Sequence, residues 1–142
     1  MIHVVYGPPC GGKSTFVKQN AKAGDLVVDL DEISSALNSA VDHGANVPIL
    51  DAALAARARL IDYALQQKGD AWIIDTNLWK KARDRYESAG AVFHKCDPGE
   101  QVCLDRATAR PEGTAEVIRA WYRAHDERPT REKFADFMRD SF

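Results

Sequence analysis

The sequence predicts an α/β fold of three layers: a short parallel sheet of about four strands, flanked by helices, with a wholly helical C-terminal part. Three observations carry this expectation. Short apolar runs recur along the chain, at MIHVVY, DLVVDL, AWIID and AVFHK. Helical segments separate them, so each connection is a crossover, and crossovers join parallel strands. The runs are also apolar without alternation, as strands covered on both faces are. At 142 residues the chain is long enough to bury a core, and one domain over 1–142 is expected.

The elements follow in order. MIHVVY is a strand ended by Gly7, and a helix is expected from Lys13 to about Ala23, stopped by Gly24. DLVVDL reads as a second buried strand and DEISSALN as a helix. SAVDHGANVPI reads as a loop punctuated by Gly44 and Pro48. Asp51 is placed as the N-cap of a helix running to about Lys68. Leu54, Ala58, Ile61 and Leu65 repeat along it at helical spacing, and Gly69 closes it. AWIID is the third strand, followed by a short helix around Lys80 to Ser88 and a stop at Gly90. AVFHK is the fourth strand, with a helix from about Pro98 to Ala109. Beyond Pro111 one helix carries Val117, Ile118, Trp121 and Tyr122 on one side. Pro129 breaks it, and a last helix presents Phe134, Phe137 and Met138. No fifth strand is evident.

Composition narrows the function. A 45% hydrophobic and 28% charged chain is of the soluble globular kind, and no apolar run has the length of a membrane helix. No signal-peptide pattern precedes the first strand. The three cysteines, Cys10, Cys96 and Cys103, show no metal-ligand spacing, and their odd number favours free thiols in a reducing compartment. A cytoplasmic enzyme is therefore expected. A net charge of −2 argues against gripping long nucleic acid by counterion release, so any nucleic-acid contact should be local and short.

The first chemical signal is GPPCGGKST. Gly7, Gly12, Lys13 and Ser14 satisfy G-x-x-x-x-G-K-[ST] between a strand and a helix, the context in which that motif cradles phosphate. The loop Gly7, Pro8, Pro9, Cys10, Gly11, Gly12, Lys13, Ser14 and Thr15 is expected to hold a nucleoside triphosphate. Glycines let backbone N–H groups turn inward with no Cβ in the way, and the following helix adds its unpaired amides and positive dipole end. Lys13 supplies a point charge to the outer phosphates, and Ser14 offers its hydroxyl to magnesium. The fold expectation becomes that of the P-loop NTPases. Cys10 reads as a tolerated loop residue, not a redox switch.

Two further strand ends carry acids, where open parallel sheets bind ligands. Asp29 and Asp31 close the second strand. Asp31 has the position of a general base for an acceptor hydroxyl, or of a helix N-cap, and Asp29 is the weaker candidate for chemistry. Asp75 ends the third strand in the Walker B placement, able to contact magnesium directly or through water. Asn77 beside it can both donate and accept. No glutamate follows Asp75 to activate water, which speaks against a motor-type ATPase. Arg106 and Arg110 lie four residues apart on one helical face. They form either a lid over transferring phosphates, spanning about residues 100–114, or an exposed charged helix.

Together these segments resemble the kinase domain of bacteriophage polynucleotide 5′-kinases and, more loosely, the zeta-toxin-like small kinases. The resemblance runs from Val4 to about His125. It rests on GPPCGGKST, the Asp31 segment, IIDTNL and DRATARP, followed by a helix with a Trp-Tyr pair. It implies ATP and Mg2+ at Lys13 and Ser14, Asp31 as general base, Asp75 positioning the acceptor, and Arg106 and Arg110 as lid residues, Arg110 nearest the transferred group. The chain departs from that pattern at Ser34, where the polynucleotide kinases carry an arginine that grips acceptor phosphate. Arg83, Arg85, Lys80 or Lys81, just after DTNL, either supplies that charge or forms a solvated helix face.

The reading is an ATP-dependent kinase acting on a hydroxyl of a nucleic acid end or nucleoside-like acceptor, with Asp31, Asp75, Asn77 and Arg83 toward that acceptor. A small-molecule, nucleotide or modified-base DNA kinase with the same machinery is the alternative. A regulatory nucleotide-binding ATPase stands behind both, and a guanine-reading Asn-Lys-x-Asp motif is absent.

Overall fold

Four parallel strands form one sheet in the order β2-β3-β1-β4. The computed structural model describes residues 1–39, 47–126 and 128–141. In chain order the elements are β1 (Ile2–Tyr6), α1 (Lys13–Asn20), β2 (Leu26–Val28), α2 (Leu30–Leu37), α3 (Val47–Gln66), β3 (Ala71–Asp75), α4 (Lys80–Ser88), β4 (Val92–Lys95), α5 (Glu100–Ala107), α6 (Thr114–Ala124) and α7 (Thr130–Ser141).

Strand β1 lies in the interior of the sheet. It pairs with β3 through Val4↔Ile73 and Tyr6↔Asp75, and with β4 through Val4↔Phe93. Val4 and Val5 are both fully buried, which explains why the run is apolar without alternation. Successive side chains go to opposite faces. Ile2, Val4, Val28, Ala71 and Ile73 pack with Ile61, Ala64 and Tyr86 of α3 and α4. Val5, Trp72 and Ile74 pack with Val17 and Phe16 of α1. A third cluster, Cys103, Ala107 and Ile118, joins α5 to α6. The register brings the ends of β1 and β3 level, so the loop after Tyr6 and the acid Asp75 share one rim of the sheet.

Several expectations need correction. DLVVDL is not a buried strand: only Leu26–Val28 is extended, β2 pairs with β3 alone, and Val27 is 41% exposed. The chain leaves the sheet at Asp29 because that residue caps α2. Asp51 is not an N-cap, since α3 already begins at Val47, with Pro48 in its first turn where a missing N–H costs nothing. The loop expected from 39 to 49 therefore ends earlier, and Gly44 lies outside the described residues. The inward side of α3 is Ala53, Ile61 and Ala64, with Leu60 and Leu65 partly buried against it, whereas Leu54 is 45% exposed. Arg57 shares that inward side, and a charged residue there displaces the stripe that hydrophobicity alone draws.

Helix α1 stops at Asn20 and α5 spans only Glu100–Ala107, each shorter than expected. In α6 the buried residues are Ile118 and Trp121, while Val117 is mostly exposed. Phe134, Phe137 and Met138 of α7 are also exposed. Beyond β4 every described element is helical. Among the described residues no helix is long and apolar enough to cross a membrane.

Candidate active site

The loop between β1 and α1 is built against the backbone of Cys96. A Cβ at Gly7 would lie 2.0 Å from the Cys96 carbonyl oxygen, and one at Gly11 2.7 Å from the same atom. Neither neighbour is a flexible side chain, so both positions exclude any residue larger than glycine without a backbone shift. Gly12 caps α1 with φ of 91°, in the left-handed region. Cys10 is the non-glycine residue with positive φ, at 61°, and its carbonyl accepts from Arg106 Nη1 at 3.0 Å. Pro8 is fully buried beneath the loop, and the Gly11 N–H donates to its carbonyl at 3.0 Å. The amides of Lys13 to Thr15, in the first turn of α1, have no intrahelical partner.

Lys13 is folded over this loop, donating from Nζ to the carbonyls of Gly7 at 2.9 Å and Pro8 at 2.7 Å. Burial pulls its ammonium below the ordinary lysine range, against the opposing pull of the neighbouring thiols and Asp31.

Asp29 and Asp31 divide their work in a way the residue spacing does not show. Asp29 is buried, and its Oδ1 accepts from the Asp31 N–H at 3.0 Å, capping α2. Its Oδ2 accepts from the Ser14 hydroxyl at 3.1 Å. Asp31 therefore caps nothing. Its exposed carboxylate lines the cleft and makes no hydrogen bond or ion pair among the described residues.

Ser14 and Asp75, the two expected magnesium contacts, line the same cleft, while the hydroxyl of Ser14 bonds to Asp29. Asp75 is half-buried and lies 3.6 Å from Arg57 Nη2, which also donates to the Ile74 carbonyl at 3.0 Å. Burial raises the Asp75 carboxyl above its usual range, while Arg57 and the Asn77 backbone N–H pull it back. Ser14 Oγ and Asp29 Oδ2 are adjacent oxygens that could hold magnesium, with Asp75 lining the same cleft. They are hard ligands beside a phosphate-sized loop, leaving positions for phosphate oxygens and water.

A cleft of about 690 Å³ joins these parts. Pro9, Cys10, Gly11, Gly12, Lys13, Ser14 and Thr15 form its floor, with Asp29 and Asp31 on one side and Asp75 and Asn77 on another. Arg110 enters from the α5–α6 connection. Arg106 reaches the loop through Cys10 from the same helix that precedes Arg110. Arg83 is not part of the cleft. Its guanidinium lies over the Tyr6 ring at 5.5 Å and the Phe93 ring at 5.4 Å, packed beside the sheet as a cation on aromatic faces. The other proposed cations are also turned elsewhere: Lys80 pairs with Asp84 and Arg85 with Asp62. Lys81 does not line the cleft.

Sequence reading missed two cleft residues, Arg57 and Trp79, and the double role of Asp29. Arg57 left one signal, a charged residue in the middle of an otherwise apolar helix stripe.

The sheet order, the glycine-built loop and the acids on adjoining strand ends define a P-loop nucleotide-binding domain. A family model described as an AAA domain matches residues 2–135, and the chain belongs to that family, which includes kinases. No curated protein matches the chain.

Proposed function

We propose that the protein is an ATP-dependent, magnesium-requiring kinase that moves the γ-phosphoryl group onto an alcohol. The observation that carries this is the unengaged Asp31 carboxylate on the wall of the cleft, released from helix capping by Asp29. A nucleotide holder has no use for such a base, whereas phosphoryl transfer needs a group to receive the acceptor's proton.

Loop amides and Lys13 hold the triphosphate, with Lys13 exchanging its two carbonyl partners for phosphate oxygens. Ser14 and Asp29 would hold magnesium, which would supply positive charge to offset that of the triphosphate. Asp31 takes the hydroxyl proton as the acceptor oxygen bonds to γ-phosphorus and the bond to the ADP oxygen breaks. Arg110 approaches the transferring group from the α5–α6 connection, and Arg106 fixes the loop by its bond to Cys10. Asp75, clamped by Arg57, orients the acceptor together with Asn77.

The resemblance to polynucleotide 5′-kinases makes a nucleic acid end or nucleic acid component the acceptor to try first. A motor-type ATPase is disfavoured because Thr76, not an acid, follows Asp75, and a regulatory ATPase would hydrolyse ATP independently of Asp31. The test is ATP labelled in its γ-phosphate, offered with 5′-hydroxyl DNA, 5′-hydroxyl RNA, modified-base DNA and free nucleosides. Label is expected in an acceptor. Label released only as inorganic phosphate with every acceptor contradicts the proposal.

A further inference from the structure

The cleft wall away from the phosphate loop has a different character. Leu54, Trp79 and Val117 line it and are 45%, 59% and 56% exposed, a concentration of apolar surface inside a polar cleft. Trp79 is the best supported of the three. It follows the Asp75–Asn77 turn by two residues, and its N–H donates to the Asn77 carbonyl at 2.9 Å. The His125 ring stacks beside it at 5.8 Å and 23°, and His125 in turn stacks on Trp121 at 3.9 Å and 13°. Trp121 Nε1 donates to the Thr76 carbonyl at 2.7 Å. Three rings are therefore ordered against the same turn that carries Asp75, and a pre-ordered tryptophan offers a flat face at low entropic cost.

Charge points the same way. Among the described residues the cations lining the cleft are Lys13, Arg57 and Arg110. Lys13 belongs to the loop, Arg57 is held by Asp75 and the Ile74 carbonyl, and Arg110 enters from the α5–α6 connection. In the kinase reading Arg110 serves the transferring phosphoryl group, which leaves no further cleft-lining cation among the described residues for an acceptor phosphate, and the Asp31 carboxylate repels an anionic acceptor.

The geometry points to an acceptor that is a neutral alcohol carrying a flat ring, of which a free nucleoside is the simplest form. Its ring lies on Trp79 and its hydroxyl faces Asp31. The inference rests on the kinase reading: the nucleoside hydroxyl loses its proton to Asp31, its oxygen bonds to γ-phosphorus, and ADP leaves.

The experiment compares thymidine, thymidine 3′-monophosphate, a 5′-hydroxyl oligonucleotide and glycerol as acceptors of label from γ-labelled ATP. Thymidine is expected to show the highest kcat/KM. Trp79→Ala is expected to raise its KM about tenfold, with Trp79→Phe recovering most of the loss and the KM for ATP unmoved. A preference for the 3′-monophosphate or the oligonucleotide, or an unchanged thymidine KM in Trp79→Ala, overturns the inference. A second readout separates it from the kinase reading. If label reaches no acceptor, that reading fails alone, and thymidine quenching of tryptophan emission, lost in Trp79→Ala, still upholds the platform. Absence of quenching removes the platform as well.

Discussion

The two ends of the cleft are built by different means. The phosphate end is backbone: two glycines pressed on the Cys96 carbonyl, a left-handed Gly12 and a lysine bonded to loop carbonyls. The other end, proposed to receive the acceptor, is side chains gathered from distant segments: Leu54 and Arg57 of α3, Trp79 before α4, and Val117 of α6. Backbone geometry tolerates almost no substitution and recognises a group common to all nucleotides. A side-chain wall can be replaced residue by residue, so under the kinase proposal acceptor choice would reside there.

Substitutions at the two ends should therefore separate in kinetics. The largest effect is expected from Lys13→Ala, which should lower kcat by about a thousandfold, read as label transfer at saturating ATP. A loss confined to the acceptor KM would place Lys13 at the wrong end. Arg110→Ala comes next, with kcat falling by about two to three orders of magnitude and ATP affinity by much less. Matching losses in both would reduce Arg110 to a nucleotide contact.

How far the two ends were legible follows from how they are made. Gly7, Gly12, Lys13 and Ser14 are close in sequence and constrained by backbone geometry, so their spacing announces them. Asp75 stands at a strand end and Asp31 in the first turn of the helix after one, where the change from apolar run to polar residues marks them. Trp79 has no such local mark, and Arg57 only its charge within an apolar helix stripe. Arg57 meets Asp75 only because α3 crosses the sheet, and Trp79 is held by rings from α6. Asp29 and Asp31 are two candidates for one cap, and only the path of the chain out of β2 decides between them. Arg83 looked like a free cation because the Tyr6 and Phe93 faces that receive it come from different strands.

Smaller effects concern stability. Asp75 is held above its ordinary carboxyl range by burial, so its charged form weighs against folding once pH rises through its native value. Asp75→Asn is accordingly expected to raise the melting temperature at neutral pH by a few degrees, about 1 kcal/mol, while impairing acceptor use. A lower melting temperature would mean that the Arg57 pair outweighs the burial cost. The smallest effect lies under the sheet, where His3 Nδ1 and His94 Nε2 are 3.0 Å apart and burial together with His94 lowers the His3 pKa below 6.5. The unfolded chain then takes up protons first, so stability should fall as pH drops below about 6.5. His3→Gln should flatten that slope in thermal melts between pH 5 and 7, roughly the range in which histidine titrates.

The division of labour between Asp29 and Asp31 is the point on which the kinase account stands. It is tested most directly by single-turnover label transfer in Asp31→Asn, measured beside its thermal melt and ATP affinity. Transfer is expected to fall by about a hundredfold or more with melting temperature and ATP affinity unchanged, because this carboxylate meets the acceptor and starts no helix. Undiminished transfer, or a melt lowered as by loss of a cap, would contradict the account.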